Sequence, residues 1–258
     1  MSGNPEPIGS LQRASALLRL LANAGQRGAG LTDLAKEVRL PHPSVHRLLR
    51  QLIAEGLARQ IEGTRRYALG SLAFELGLAA AQQFDIRGLC RPALDRLALD
   101  AGDTAYLVVR SGDEAVCIDL EEGPSPIRVL TLQIGSRRPL GVGAGGLAIL
   151  AALDEPERGQ VLGRCQDALD REWQLPAALL DSSMAAAASA GHVLVRNRVT
   201  LGVSAIGQAF RDALGRPIGA ISVAATNDRM ADARVRTLAG LLARSVRQIE
   251  RALRAPRH

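Results

Sequence analysis

The stretch His42-Pro43-Ser44-Val45-His46-Arg47-Leu48-Leu49-Arg50-Gln51-Leu52-Ile53 constrains this chain more than any other. Val45, Leu48, Leu49, Leu52 and Ile53 recur at i, i+3, i+4, i+7 and i+8, which gathers them on one helical face about 100° wide. The opposite face carries Ser44, His46, Arg47, Arg50 and Gln51. Each of these donates hydrogen bonds and none is acidic, which suits the base acceptors and phosphates of a DNA major groove. An ordinary amphipathic helix with a solvated basic face shows the same pattern, so its neighbours must decide.

Upstream, Leu11, Ala14, Leu17, Leu18, Leu21 and Ala22 mark a helix over 11–24, and the stretch 25–30 breaks it. Thr32 is placed as the N-cap of a short second helix with the apolar stripe Leu31, Leu34, Ala35 and Val38. Leu40-Pro41-His42-Pro43 reads as a tight turn, with Pro43 suited to the first turn of the helix that follows. Two short helices joined in this way form a helix-turn-helix. After Gly56 the period changes from helical to alternating, and residues 57–61 and 67–69 flank Glu62-Gly63-Thr64-Arg65-Arg66. This predicts a β-hairpin with Arg65 and Arg66 near its tip, a wing able to reach sugar-phosphate or a minor groove. Solvated loop charge is the plainer alternative for the two arginines. Charge supports the first reading, because basic residues clearly outnumber acidic ones in 1–70 while the rest of this +6 chain is close to balance.

With 258 residues there is room for two domains, each able to bury a core. No apolar run approaches a membrane span, and Met1 to Ser10 lacks the basic and apolar regions of a signal peptide, so a cytoplasmic protein is expected. Cys90, Cys117 and Cys165 are far apart and odd in number, which reads as buried small hydrophobes and not as a disulfide framework or metal site. Leu72 to Gln83 is apolar on more than one side, as in a linker helix that packs on a partner. Helices are expected over 86–101, 155–169, 176–190 and 231–253, and strands over 104–110, 115–120, 127–132, 192–196, 203–211 and 217–225. That order predicts an α+β domain.

Gly141-Val142-Gly143-Ala144-Gly145-Gly146 satisfies G-x-G-x-x-G. A dinucleotide fingerprint also needs a hydrophobic strand before it and an acidic residue about 20 positions later, and this chain has Arg137-Arg138-Pro139 and then Val161. No cofactor is expected. The glycines instead let backbone N–H groups approach a small anion at a helix N-terminus, or serve close packing of that helix on a sheet.

Taken together, Ser10-Leu11-Gln12-Arg13-Ala14, Leu31-Thr32-Asp33-Leu34-Ala35, Ser44-Val45-His46-Arg47-Leu48-Leu49, Glu55-Gly56-Leu57 and Tyr67-Ala68-Leu69-Gly70 resemble the N-terminal domain of the isocitrate-lyase-regulator (IclR) family of bacterial transcription factors. Residues 134–140, Gly202-Val203-Ser204-Ala205-Ile206 and Gly215-Arg216-Pro217-Ile218-Gly219-Ala220 continue the resemblance into the effector domain. It implies an α+β chain: a winged helix-turn-helix domain at 1–70, a dimer-forming linker helix at 71–85, and a profilin- or GAF-like effector-binding domain with a curved antiparallel sheet at 86–258. Its partners would be double-stranded DNA at a pseudo-palindromic operator, a small carboxylate effector, and further copies of itself in a dimer or tetramer, with no membrane.

DNA contacts are expected from Thr32, His42, Pro43, Ser44, His46, Arg47, Arg50, Gln51, Arg65 and Arg66, with base readout on Ser44, His46 and Arg47. Carried over by position, the resemblance puts the effector against Leu130, Arg138, Ala144, Gly145, Val195, Val203, Ala205, Ser222 and Ala224. Val195, Ala205 and Ala224 stand where polar groups are commoner, and Arg138 where a Leu is usual. A more apolar pocket with one new fixed charge follows, suited to an aromatic or acyl acid anchored by Arg138; a surface pairing of Arg138 with Glu121 or Glu122 is the alternative. An enzyme of small carboxylates or thioesters is the competing function. It finds little support, because His192 has no evident triad partner and Cys117 has no base near it in sequence.

Overall fold

In the computed structural model, which describes residues 9–81 and 85–255, the periodicity of the N-terminal third becomes α1 (Ser10–Ala24), β1 (Ala29–Gly30), α2 (Leu31–Glu37), α3 (His42–Ala54), β2 (Ala58–Gln60), β3 (Arg66–Leu69) and α4 (Ser71–Ala81). They belong to the first of two compact units, Met1–Asp85 and Ile86–His258. Leu17 and Leu21 of α1, Leu34 of α2, and Val45, Leu49 and Leu52 of α3 form one buried cluster with Tyr67 of β3. Each such side chain contributes roughly 1.5–3 kcal/mol by leaving water, so the apolar stripe fixes how α3 is rotated.

The ends of the helices explain where the sequence reading needs adjusting. Leu40 N donates to Ala35 O at 3.1 Å and Arg39 is left-handed at φ 53°, a Schellman end that stops α2. Pro43 occupies the first turn of α3, where a missing N–H costs nothing, so α3 begins at His42 and the turn lies two residues earlier than expected. Thr32 is not an N-cap: Gly30 holds that position, and no side chain caps α2. The hairpin forms as expected, with Ala58 opposite Leu69 and Gln60 opposite Tyr67. A third strand, β1, joins it with Gly30 opposite Arg66; two residues are too few to show a period. At Gly70 a Cβ would sit 2.1 Å from Gly56 O, so the close return of the wing onto the end of α3 requires glycine. α4 follows at once and exposes Phe74, Leu76 and Leu78 at 67, 55 and 55%. The expected helix ran to Gln83, and residues 82 and 83 lie outside the described residues.

The second unit is built on a six-stranded antiparallel sheet in the order β6-β5-β4-β9-β8-β7, from β4 (Thr104–Ser111), β5 (Glu114–Glu121), β6 (Arg137–Pro139), β7 (Val193–Arg196), β8 (Val203–Arg211) and β9 (Pro217–Thr226). Strand alternation feeds two cores. Ala105, Leu107, Ile221 and Val223 face α5 (Ile86–Ala101) and α9 (Asp232–Arg254). Tyr106, Val108, Ala220 and Ala224 face α6 (Gly143–Ala152), α7 (Glu157–Trp173) and α8 (Ala177–Ala190). The fold class is α+β as expected.

Residues 127–132 do not form the predicted strand. Thr131 N donates to the Tyr106 hydroxyl at 3.1 Å and Thr131 O accepts from Arg138 at 2.5 Å, so side chains take the backbone groups a ladder would need. β5 pairs instead with β6, a strand of three residues. Two buried carboxylates fasten the α5–α9 layer. Asp119 accepts from Arg87 at 3.0 Å and Arg91 at 3.3 Å, and Asp103 from Arg229 at 2.9 Å and Arg234 at 2.5 Å. Burial pushes the Asp119 carboxyl up, but the Arg87 hydrogen bond and charge outweigh it and hold it below the usual carboxylate range. Cys90 and Cys117 are buried, as expected, while Cys165 is partly exposed.

Candidate nucleic-acid interface and ligand cavity

The buried stripe of α3 leaves His42, Pro43, His46, Arg47, Arg50 and Gln51 exposed and Ser44 half-buried. His46, Arg47, Arg50 and Gln51 fall at i, i+1, i+4 and i+5 and share one face. Among the described residues none of these side chains makes a hydrogen bond or ion pair, so their donors are available to a partner. Thr32 is exposed at the second position of α2. On the wing the two arginines part company. Arg66 donates through Nε to Arg27 O at 2.8 Å and through Nη2 to Gly28 O at 2.7 Å, tying the wing to the turn before β1. Arg65 lies in the loop between β2 and β3, exposed and without a protein partner among the described residues.

In the second unit, β4, β5, β8 and β9, the N-terminus of α6 and the segment after β7 enclose a cavity of about 50 Å³ for the centres of water molecules. At roughly 10–15 Å³ per water this holds about four, on the order of 100 Å³ of liquid. Arg138, Ala144, Gly145, Val195, Val203, Ala205, Ser222 and Ala224, the residues to which the resemblance assigned an effector, all line it. Leu130 does not: it is 56% exposed, and Thr131 and Leu132 take its place. Tyr106, Cys117, Arg198 and Val199 also line the cavity and were not foreseen. Strand alternation points Tyr106 and Cys117 at the α6 face, but Arg198 lies in a loop, where no period operates.

The glycine motif serves both purposes weighed on the sequence. A Cβ at Gly145 would lie 2.7 Å from Val108 Cγ2, so this glycine lets α6 press onto β4. α6 also starts at Gly143 without a side-chain cap, and Gly143 to Gly146 line the cavity. The N–H groups of Gly143 to Gly145 precede the first intrahelical acceptor, which makes this end of the cavity favourable to an anion. β6 runs antiparallel to its neighbour, so the surroundings lack the βαβ unit that a dinucleotide needs.

Arg138 has no carboxylate partner among the described residues. The two glutamates weighed as its partners are taken, Glu121 by Arg91 and Glu122 by Arg128. Its guanidinium donates to Thr131 O and lies 5.4 Å from the centroid of the Trp173 ring. Burial lowers its pKa, against the opposing pull of Tyr106 and Cys117. Burial likewise pushes the Cys117 thiol up to about 12, so it stays protonated and is a poor nucleophile. His192 is not among the lining residues. The Tyr106 hydroxyl donates to Val129 O and is satisfied. The Ser222 hydroxyl has no protein partner among the described residues.

The chain matches two family models: residues 10–62 match the one described as the IclR helix-turn-helix domain, and residues 78–251 the one described as Bacterial transcriptional regulator IclR C-terminal. It is similar to the HTH-type transcriptional repressor AllR of Escherichia coli K12, 27% identical over 99% of this chain and 96% of that protein. The Glycerol operon regulatory protein of Streptomyces griseus is 29% identical over 86% of this chain and 87% of that protein. An IclR homologue of Microbacterium hydrocarbonoxydans, solved in complex with 4-hydroxybenzoate, shares the fold at a TM-score of 0.73, with 21% identity over 96% of this chain and 100% of that one.

Proposed function

This chain belongs to the IclR family of bacterial transcription regulators, and from that premise we propose that it reads a pseudo-palindromic operator as a symmetric oligomer and responds to a small, partly apolar carboxylate held by Arg138. The matched relatives are regulators of transcription and not enzymes.

The carboxylate rests on one observation above the rest: a cation enclosed in a cavity, set over Trp173 and without a counter-charge among the described residues. A guanidinium takes a carboxylate through two parallel hydrogen bonds. The apolar walls at Val142, Val195, Val203, Ala205 and Ala224 favour an aromatic or short acyl body, and the relative solved with 4-hydroxybenzoate supports that class. On the DNA side, α3 enters the major groove with Ser44, His46 and Arg47 on base edges. Arg50, Gln51 and Arg65 contact phosphate, and Arg66 is retained mainly for the wing. The exposed apolar surface of α4 supports a second copy as its partner. In such a dimer two copies of α3 address half-sites about 34 Å apart.

Two measurements test this reading. Selection of binding sites from random DNA is expected to return an inverted repeat. Thermal-shift screening of a carboxylate library is expected to raise the melting temperature for aromatic or acyl acids in wild type and not in Arg138→Ala. A stabilising acid that binds Arg138→Ala as tightly as wild type sinks the anchor.

A further inference from the structure

Most arginines packed against this cavity's framework are matched to acids. Arg137 pairs with Glu114 at 2.9 Å, Arg196 with Asp232 at 3.2 Å, and Arg164 with Asp113 at 2.6 Å. Arg138 and Arg198 are exceptions, and both line the cavity, whose lining includes no acidic residue among the described residues. Arg198 Nη1 is buried with no hydrogen-bond partner, and desolvation pulls its pKa down with no acid opposing it. A cation drawn out of water without a counter-charge is unfavourable, and this bears on the guanidinium of Arg138 and, in part, on the half-buried Arg198 through its Nη1.

The two arginines arrive from opposite sides. Arg138 is on β6 and Arg198 follows β7, and these strands are the two edges of the six-stranded sheet. Arg138 reaches the first turn of α6, where a Cβ at Gly143 would lie 3.8 Å from its Nη1, and Val199, the residue next to Arg198, brings its Cγ2 within 4.0 Å of the same point. The rest of the lining is mainly apolar, and the Ser222 hydroxyl has no protein partner among the described residues. One carboxylate would leave one of the two cations uncompensated. Two carboxylates, one at each end of a short apolar body, would neutralise both.

We propose that the ligand of this cavity is a dicarboxylate with a short apolar spacer, one carboxylate held by Arg138 and the other by Arg198. The room for about four waters favours the shortest spacers, and a ring between the two carboxylates is accommodated only as the lining side chains move back. This rests on the carboxylate reading given above and adds a second charge that the ligand must carry.

Calorimetric titration of the full chain with matched probes tests it: benzoate against the three benzenedicarboxylates, and hexanoate against hexanedioate. At least one dicarboxylate is expected to bind tenfold or more tightly than its monoacid. Arg198→Met is expected to bring that dicarboxylate to the monoacid's affinity, weaken the monoacid far less than the diacid, and keep or raise the melting temperature of the free protein, since it removes an unmatched cation; Arg198→Lys should recover part of the difference. Equal affinity for monoacid and diacid overturns the proposal, and so does an equal loss for both in Arg198→Met, which would put both arginines on one carboxylate. Either result leaves the Arg138 carboxylate site standing. Failure of every mono- and diacid to bind folded wild type defeats that reading and this inference together.

Discussion

The arginines of α3 and those of the cavity are the same chemical group used under opposite conditions. Arg47 and Arg50 stand exposed on a rigid helix whose other face is core, where an unpaired cation stays hydrated and costs little. Arg138 and Arg198 are drawn into a cavity where desolvation lowers both pKa values. The exposed set can meet any polyanion, so its selectivity must come from geometry along the groove. The enclosed set can be relieved only by a molecule small enough to enter, so its selectivity comes from charge and volume.

That contrast predicts separable damage. The largest effect should come from Leu49→Ala beneath the α3 face, which empties a fully buried position and costs about 2–5 kcal/mol. Urea unfolding should show this loss in the first unit, with carboxylate binding by the second unchanged; simultaneous loss of both would break the distinction. Next comes Asp119→Asn in the second unit, expected to cost about 1.5–3 kcal/mol through its charged hydrogen bonds. Because Asp119 is held below the usual carboxylate range when folded, it binds protons less readily folded than unfolded. Its stabilisation is complete above the unfolded pKa, about pH 4, and is lost as pH falls through the lower folded value. Acid titration of stability should therefore be flatter in Asp119→Asn than in wild type. Arg47→Ala should cost about 1–3 kcal/mol on the selected site and much less on random DNA; equal losses on both would reduce Arg47 to a phosphate clamp. The smallest effect belongs to the wing. Arg65→Ala should lower the slope of log affinity against log salt by about one, whereas Arg66→Ala should act through stability of the wing, because its donors are spent on Arg27 and Gly28.

The same contrast explains what could be read in advance. The α3 face was legible because a helix buried on one side must repeat, and the repeat Val45, Leu48, Leu49, Leu52 names the exposed side by exclusion. The sheet face of the cavity was legible for the same reason at period two, in Val203 and Ala205 and in Ser222 and Ala224. The failures lie where neither period operates. Thr32 carries a good capping side chain, yet backbone geometry places the cap at Gly30. Residues 127–132 have strand-like composition, but Arg138 and Tyr106 occupy the backbone groups of Thr131. Leu130 was carried over by position into a segment that has no strand to orient it. Arg198 sits in a loop, and the curvature that brings both sheet edges to α6 is a property of tertiary structure alone.

The stacking of Arg138 on Trp173 has an optical consequence. Trp173 is the chain's one tryptophan, so indole emission reports from the α7 end of the ligand cavity and from nowhere in the DNA-binding unit. A ligand that turns the guanidinium toward its own carboxylate changes the field over that ring, and the emission intensity or wavelength should move without any added label. The natural protein thus carries a built-in fluorophore for its effector, one that is blind to DNA unless the operator alters the cavity itself.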